Sequence, residues 1–273
     1  GLHGKSFMPL FLGFGCNVPA VMGSRIIDSR RARLLTILLA PLVPCAARMA
    51  VVVFVAPVFF GRAATFVAWG LVAMTLFVLA VVGILINRWV LKGERAAFIM
   101  ELPLYHRPNA RTIGIQVWQN SSEFLKKAGT LILLMSIVIW ALSVLPHGSI
   151  QTSYLARAGQ ALAPLGALMG RNWEMLVALL SSFVAKENAI ATMGILFGAG
   201  EEAGLGAALT GILTPAAALS FLVVQMLFIP CVGTVAAIKQ ETKSWGWTAF
   251  SVGLLLVISL TAGILVYQIV SAL

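Results

Sequence analysis

The sequence predicts an all-α protein, a polytopic transmembrane helix bundle in which some helices are broken or re-entrant and two halves are repeated. Hydrophobic residues make up 60% of the 273-residue chain, charged residues make up 10%, and the mean hydropathy is +0.98. These values lie far outside the range of soluble globular proteins. Apolar stretches long enough to cross a hydrocarbon core of roughly 30 Å recur along the chain. We therefore expect an integral membrane protein.

The first notable stretch is an uncharged run over residues 7–24 that contains several helix breakers. Pro19 has no amide hydrogen, so a helix through it would leave the carbonyl of Gly15 without its usual donor. Cys16 and Asn17 place polar groups between these breakers. In lipid, broken backbone is tolerated only where protein buries it or where it lines a wet cavity. We expect this segment to form one wall of a permeation pathway for a small cation.

A transmembrane hairpin is predicted over 34–90. Its first arm, 34–60, is expected to be one helix of 27 residues that bends at its prolines. Arg48 falls near the middle of this arm, where facing lipid would cost on the order of 2.5–3.5 kcal/mol. We expect Arg48 to face the bundle interior, and a snorkelling arginine is the alternative. The tip of the hairpin is expected near Gly61.

Residues 91–127 predict a cytoplasmic loop followed by an interfacial helix. The loop is too rich in proline for a helix, and His106 within it is expected to be a surface histidine rather than a metal ligand. The same expectation holds for His3 and His147. Apolar residues after the loop recur with helical spacing, so we expect a helix on the membrane surface that turns into the membrane at Ala128.

A second anomalous region lies within 128–238, where Lys186 and Glu187 interrupt the apolar stretch 172–198. Adjacent positions on a helix point about 100° apart, so these two charges cannot neutralise each other well. Charges inside a membrane are functional hypotheses by default, and a structural interhelix ion pair is the alternative. The sequence leaves open whether 172–198 crosses the membrane or is re-entrant, and therefore on which side the loop 239–243 lies.

The charges between the apolar stretches predict the orientation of the chain. The net charge of +10 is distributed over these loops, which indicates topology rather than binding to nucleic acid. Residues 23–33 carry four arginines against Asp28, and residues 87–127 carry seven Lys or Arg against three Glu. The positive-inside rule places both segments in the cytoplasm. Residues 239–273 predict a loop and a final transmembrane helix.

All three cysteines directly follow a helix breaker, in Gly15-Cys16, Pro44-Cys45 and Pro230-Cys231. In a helical segment, Pro44 would leave the carbonyl of Ala40 free one turn before the thiol. Thiolates beside free carbonyls suit a borderline or soft transition-metal ion such as Fe²⁺ better than Na⁺ or Mg²⁺. Any single cysteine is better explained as a small buried hydrophobe, and only the set of three favours a functional role. The absence of a C-x-x-C pair argues against a disulfide framework or a structural zinc site.

The cysteines also indicate a weak internal repeat, because Cys16 and Cys231 are each followed by an apolar stretch and then a charged loop. Repeated halves that meet at a midplane site are typical of transporters. The predicted metal-binding positions are Cys16, Cys45 and Cys231. The predicted translocation pathway also includes Asn17, Pro19, Arg48, Lys186, Glu187 and Pro230.

Enzymatic motifs are absent from the sequence, which lacks His-Glu-x-x-His, Gly-x-Ser-x-Gly and paired aspartates. Gly4-Lys5-Ser6 ends like a phosphate-binding loop, but that motif requires a glycine five positions before Gly4. We therefore expect neither an enzyme nor a cofactor within these residues.

Six motifs, spread in order over nearly the whole chain, resemble as a set the membrane domain of the bacterial ferrous iron transport protein B (FeoB) family. The motifs are Gly13-Phe14-Gly15-Cys16-Asn17-Val18-Pro19-Ala20, Ser29-Arg30-Arg31, Cys45-Ala46-Ala47-Arg48, Glu101-Leu102-Pro103-Leu104-Tyr105, Phe183-Val184-Ala185-Lys186-Glu187 and Pro230-Cys231-Val232. The resemblance implies two gate-type repeats, with the first gate region ending within 1–33 and the second within 128–238. It also implies Fe²⁺ as the transported ion and a multi-pass location in the bacterial inner membrane.

The resemblance further implies partners for the chain. These are an N-terminal GTPase domain, which would bind GTP and Mg²⁺, a small cytosolic accessory protein, and further copies in a homo-oligomer. Because Gly1 looks like the middle of a protein, we expect this chain to be a fragment that lacks the GTPase domain. The alternative function is a transporter of nucleosides or other small solutes, because such families share gate-type segments.

Overall fold

The computed structural model describes residues 2–90, 109–145, 153–170, 172–197, 206, 209–211 and 213–272. The regular structure in these residues is entirely helical, which confirms the predicted all-α bundle. The expectations for His106, the loop around it and His147 lie outside the described residues.

The chain begins with two short helices, α1 (Phe7–Gly13) and α2 (Asn17–Gly23), which pack against each other. A Cβ on Gly23 would lie 3.9 Å from the Cβ of Pro9, so the two helices run in opposite directions. Each is about 10 Å long, far less than the thickness of the hydrocarbon core. Neither helix of this first hairpin is therefore long enough to span a membrane.

The next segment consists of α3 (Arg30–Leu39), a 3₁₀ turn (Ala40–Leu42), α4 (Ala46–Phe60) and α5 (Ala64–Leu85). The predicted continuous helix over 34–60 is wrong, because the backbone is extended at Val43 (φ −69°, ψ 129°). A residue before proline is disfavoured in the helical region, and Pro44 follows directly. We call α3 and α4 the first broken span. The predicted tip is confirmed at Gly61, where φ is +48°.

A single long helix, α6 (Ala110–Val144), follows. Its 35 residues extend over about 52 Å, and the predicted turn at Ala128 is wrong. No proline interrupts the helix, and the side chain of Asn109 caps its start by accepting from the Arg111 N–H at 3.0 Å. The expected interfacial helix and the following span are thus one element.

The second half contains α7 (Tyr154–Ala161), α8 (Ala163–Ala167), α9 (Trp173–Ser181), α10 (Asn188–Leu196), α11 (Pro215–Leu227), α12 (Val232–Thr242) and α13 (Trp245–Ala272). Helices α9 and α10 form a second hairpin, in which the Thr192 hydroxyl donates to the Ser181 hydroxyl at 2.8 Å. The stretch 172–198 is therefore re-entrant as far as it is described. Helices α11 and α12 form the second broken span, interrupted before Pro230.

Among the described residues, three helical stretches are long and apolar enough to cross a membrane: Arg30–Val90, Pro215–Thr242 and Trp245–Ala272. The two halves pack together, with α4 of the first broken span against α11 and α2 of the first hairpin against α12. Helix α13 packs along α11, where the Ser220 hydroxyl donates to the Gly263 carbonyl at 2.9 Å. The interruptions of both spans consequently lie near the centre of the molecule.

An ion pair determines which loops share a face. Arg25, just after the first hairpin, contacts Glu241, in the last turn of α12, at 2.6 Å. The segment 239–243, predicted as a loop, is helical up to Thr242 and lies on the same face as the arginine-rich loop. Because α6 leads from this face to the opposite one, where α7 and the second hairpin begin, the two hairpins enter from opposite faces. This is the arrangement of an inverted repeat.

Candidate ion-permeation site

The interruptions of the two hairpins and the two broken spans meet at one cavity of about 170 Å³. Eight of the nine predicted site residues line it: Cys16, Asn17, Cys45, Arg48, Lys186, Glu187, Pro230 and Cys231. Pro19 does not. It lies instead on a larger cavity of about 560 Å³, beside Arg25 and Gln116 on the face of the arginine-rich loop.

Each cysteine directly precedes a helix. Cys16 precedes α2, Cys45 precedes α4 and Cys231 precedes α12. All three thiols are free and half-buried. The glycine or proline before each cysteine ends the preceding helical segment, so the thiol falls at the start of the next one. The common position of the cysteines in the sequence thereby becomes a common position in the fold.

Backbone hydrogen bonds fasten each hairpin to the broken span of its own half. The Ala46 N–H donates to the Gly15 carbonyl at 3.3 Å, and the Val232 N–H donates to the Phe183 carbonyl at 2.8 Å. Both donors belong to the first residue of a helix, where N–H groups have no partner within the helix. The Gly15 carbonyl, which Pro19 deprives of its usual donor, is therefore satisfied by α4.

Arg48 is fully buried and bridges the two halves. Its Nη1 donates to the Pro41 carbonyl and its Nη2 to the Phe228 carbonyl, both at 2.7 Å. These carbonyls lie just before the interruptions that precede Cys45 and Cys231. The expectation that Arg48 faces the bundle interior is confirmed.

Lys186 and Glu187 point in different directions. Lys186 is 3% exposed, donates to the Ile229 carbonyl at 2.6 Å and lies 5.0 Å from the centre of the Phe228 ring. Glu187 is exposed at the cavity. In the part of the chain that the structure describes, neither Lys186 nor Arg48 pairs with a carboxylate. The partner of Lys186 is a backbone carbonyl, not the acidic side chain that an interhelix ion pair requires.

Asn17 is buried in the turn of the first hairpin. With its amide nitrogen facing both acceptors, it donates to the Ala40 carbonyl at 3.2 Å and to the Gly13 carbonyl at 3.1 Å. The Ala40 carbonyl also accepts from the Val43 N–H at 3.1 Å. The expectation that Pro44 leaves this carbonyl free for an ion is wrong, because the 3₁₀ turn and Asn17 both satisfy it.

Thr234 is a site residue that the sequence analysis missed. It is buried on the cavity, and its hydroxyl lies 3.3 Å from the Cys231 sulfur. The signal was present in the spacing, because Thr234 follows Cys231 by three positions as Arg48 follows Cys45. One turn of helix separates the members of each pair, so both project toward the same cavity.

The repeat pairs different cysteines from those predicted. Cys45 and Cys231 occupy equivalent positions, since each follows a proline and begins the second helix of a broken span. Cys16 lies in a hairpin instead. The predicted equivalence of Cys16 and Cys231 is therefore wrong. The prediction failed because it relied on the charged residues that follow both cysteines. Such residues follow a hairpin in the first case and a broken span in the second.

The three thiols do not form a preformed metal-binding site. Within the described residues, no three His, Cys, Asp or Glu side chains are grouped closely enough to hold an ion together. Arg48 and Lys186 bring two positive charges to the cavity, and Glu187 brings one negative charge. A thiol binds a metal as the thiolate, so arrival of a divalent ion would release protons and add negative charge. The arrangement suits transient binding better than permanent coordination.

Two family models match the chain. The model described as "Nucleoside recognition" (Gate) matches residues 1–59 and 125–245, and "Ferrous iron transport protein B C terminus" matches residues 68–120. The chain is 38% identical over 274 residues to the Fe(2+) transporter FeoB of Staphylococcus aureus strain COL, covering 98% of this chain and 41% of that protein. It is 34% identical to the Fe(2+) transporter FeoB of Methanocaldococcus jannaschii, covering 92% of this chain and 39% of that protein.

A further relative, from Porphyromonas gingivalis, is named a fusion of Fe(2+) transport protein A and Fe(2+) transporter FeoB. It is 33% identical, over 92% of this chain and 36% of its own length. The chain thus spans about two fifths of the length of the curated relatives it matches. No solved structure matches it.

Proposed function

Because the chain belongs to the ferrous iron transport protein B family, we propose that it forms the part of a permease through which Fe²⁺ crosses the membrane. The ion passes between the gate segments around Cys16 and Cys231, and Cys45 contributes the third thiol. One observation carries the proposal: three thiols from three separate helix starts line a single cavity at the centre of the bundle.

The cavity favours an ion over a nucleoside, which is the alternative that the description of the Gate family suggests. Pockets for drug-sized organic ligands occupy about 300–1,000 Å³. The cavity has about 170 Å³, more than ten times the roughly 10–15 Å³ that one water requires. A partly hydrated metal ion fits this space, whereas a nucleoside would require the helices to move apart.

The donor chemistry supports Fe²⁺. Fe²⁺ is a borderline ion, so it accepts soft thiolate ligands while it keeps part of its shell of harder water oxygens. The ion sheds part of its water, binds one or two donors at a time and leaves before a closed cage forms. Such partial binding is required for permeation, because an ion that binds too tightly is not released. The protons lost by the thiols offset the positive charge that the ion adds beside Arg48 and Lys186.

The proposed partners of the chain also follow from its membership of this family. We infer that an N-terminal GTPase domain, with GTP and Mg²⁺, controls the pathway and lies in the part of the relatives that this chain does not cover. The fused relative supports a small cytosolic accessory protein related to Fe(2+) transport protein A. The setting is the inner membrane of a bacterium, with the Arg25–Glu241 face in the cytoplasm according to the positive-inside rule.

The proposal is tested by uptake of Fe²⁺ into vesicles that contain the full-length protein. We expect the Ser variants of Cys16, Cys45 and Cys231 each to reduce uptake, and Fe²⁺ to protect all three thiols of the unsubstituted protein from alkylation. The control is Ser251→Ala, a buried position on α13 outside the cavity. Uptake that is unchanged in both Cys16→Ser and Cys231→Ser would refute the thiol pathway.

A further inference from the structure

The inverted repeat assigns, to each cavity residue of the first half that could bind a metal, a counterpart in the second half. Pro44-Cys45 corresponds to Pro230-Cys231, because each pair directly precedes the second helix of a broken span. In both halves, the first residue of that helix donates its N–H to a carbonyl in the turn of the hairpin from the same half. The hairpins themselves are therefore equivalent elements. Their turns face the same cavity from opposite sides.

The starts of the second helices of the two hairpins place Glu187 opposite Cys16. Helix α2 begins directly after Cys16 and α10 begins directly after Glu187, and the first helical residue is an asparagine in both cases, Asn17 and Asn188. Both Cys16 and Glu187 line the cavity. In the first half the hairpin thus contributes a thiol, and in the second half it contributes a carboxylate.

We propose that the Glu187 carboxylate is a direct ligand of the permeating ion, an oxygen donor on the same cavity as the three thiols that the ion contacts in turn. This inference rests on the proposed function. It makes Glu187, which the sequence analysis placed only on the translocation pathway, a residue that contacts the metal.

The surroundings of Glu187 leave its carboxylate available. Its neighbour Lys186 is buried, and its ammonium is occupied by the Ile229 carbonyl at 2.6 Å and by the face of the Phe228 ring. No ion pair to Glu187 occurs within the described ranges. An exposed carboxylate at the edge of a cavity lined by thiols is accessible to an ion that still carries part of its water.

A carboxylate in this position also has a chemical consequence for selectivity. Sites made only of thiolates favour Cu⁺ and Zn²⁺, whereas carboxylate oxygen suits Mn²⁺ and other harder ions. A mixed set therefore lowers the preference for the softest ions relative to Fe²⁺. If both halves supplied thiols alone, the cavity would retain Zn²⁺ and Cd²⁺ more strongly than Fe²⁺.

Three variants test the assignment: Glu187→Gln, Glu187→Asp and Glu187→Cys, with Glu241→Gln as the control carboxylate outside the cavity. The readouts are uptake of Fe²⁺ by the full-length protein in vesicles, and the visible spectrum of Co²⁺ bound to the same protein in detergent. We expect Glu187→Gln to weaken Co²⁺ binding by roughly tenfold or more and to alter the spectrum, because one ligand is lost. Glu187→Asp should preserve most of the spectrum.

The variant Glu187→Cys distinguishes a role of Glu187 as a metal ligand from a role as a remote negative charge. Glu187→Cys should retain binding but shift the preference from Fe²⁺ toward Cd²⁺, with a stronger sulfur-to-metal absorption band. An unchanged Co²⁺ spectrum and affinity in Glu187→Gln would overturn the assignment while leaving the thiol pathway intact. If metal fails to protect the three cysteines of the unsubstituted protein, the proposed function itself fails and the assignment fails with it.

Discussion

Replacing Arg48 by lysine separates the geometry of this side chain from its charge. The guanidinium places Nη1 and Nη2 at 2.7 Å from two carbonyls that belong to different halves of the molecule, those of Pro41 and Phe228. A lysine ammonium is a single nitrogen and lacks this planar fork. It keeps the positive charge but holds one carbonyl and releases the other.

The size of the effect follows from the carbonyl that is released. Both side chains bury one positive charge, so the cost of removing that charge from water is similar in Arg48→Lys and in the unsubstituted protein. A buried carbonyl left without a donor costs about 1–3 kcal/mol. We therefore expect Arg48→Lys to lower the free energy of unfolding by about 1–3 kcal/mol and to loosen the contact between the two broken spans.

The assay is reversible denaturation of the purified protein in mixed micelles, combined with the alkylation rates of Cys45 and Cys231. The control is Arg62→Lys, at the exposed tip between α4 and α5, which should change the stability by no more than about 0.5 kcal/mol. We expect faster alkylation of both thiols in Arg48→Lys only. Equal stability and equal alkylation in the two variants would refute the reasoning that Arg48 fastens the two halves.

Further predictions concern Lys186 in the second hairpin, the contact between Gly170 and Tyr267, and the face that Arg25 and Glu241 share. Lys186→Met should lower the free energy of unfolding by about 1–3 kcal/mol, because the half-buried carbonyl of Ile229 loses its donor; equality with the exposed-tip control in the same titration would contradict this. Gly170→Ala should destabilise by about 2–5 kcal/mol, since φ is +64° and the new Cβ would lie 2.2 Å from the Tyr267 ring. A double-mutant cycle with Tyr267→Ala should remove the contribution of the contact and leave that of the backbone. Arg25→Cys and Glu241→Cys should both react with an impermeant maleimide from the same side of sealed vesicles, and labelling from opposite sides would disprove the shared face.

Much of the site was predictable because the chemistry of helix breakers is local. A proline acts on its own N–H and on the residue before it, so the interruptions next to Cys45 and Cys231 follow from adjacent residues alone. The burial of Arg48 follows from the cost of exposing a charge to lipid. The turn predicted at Ala128 and the single helix predicted over 34–60 failed because apolar spacing does not determine where a helix ends.

The pairing of the halves was not accessible from the sequence. Cys16 and Cys231 look equivalent along the chain because both precede charged loops, yet one lies in a hairpin and the other in a broken span. The difference depends on whether two short helices pack against each other, as α9 and α10 do, or continue across the membrane. The Arg25–Glu241 ion pair, which fixes the side of the last loop, joins residues far apart in the chain.

The sequence by itself determined that this chain is a helical membrane protein, and that each of its three thiols directly follows a glycine or proline. Composition, proline and glycine act through single residues and their neighbours, so these features need no knowledge of the fold. Only the tertiary structure decided that the thiols share one cavity, that Arg48 joins the two halves, and that Glu187 is the counterpart of Cys16. These relations depend on which carbonyls and helix ends, far apart in the sequence, come into contact. Only the packing of the helices determines those contacts.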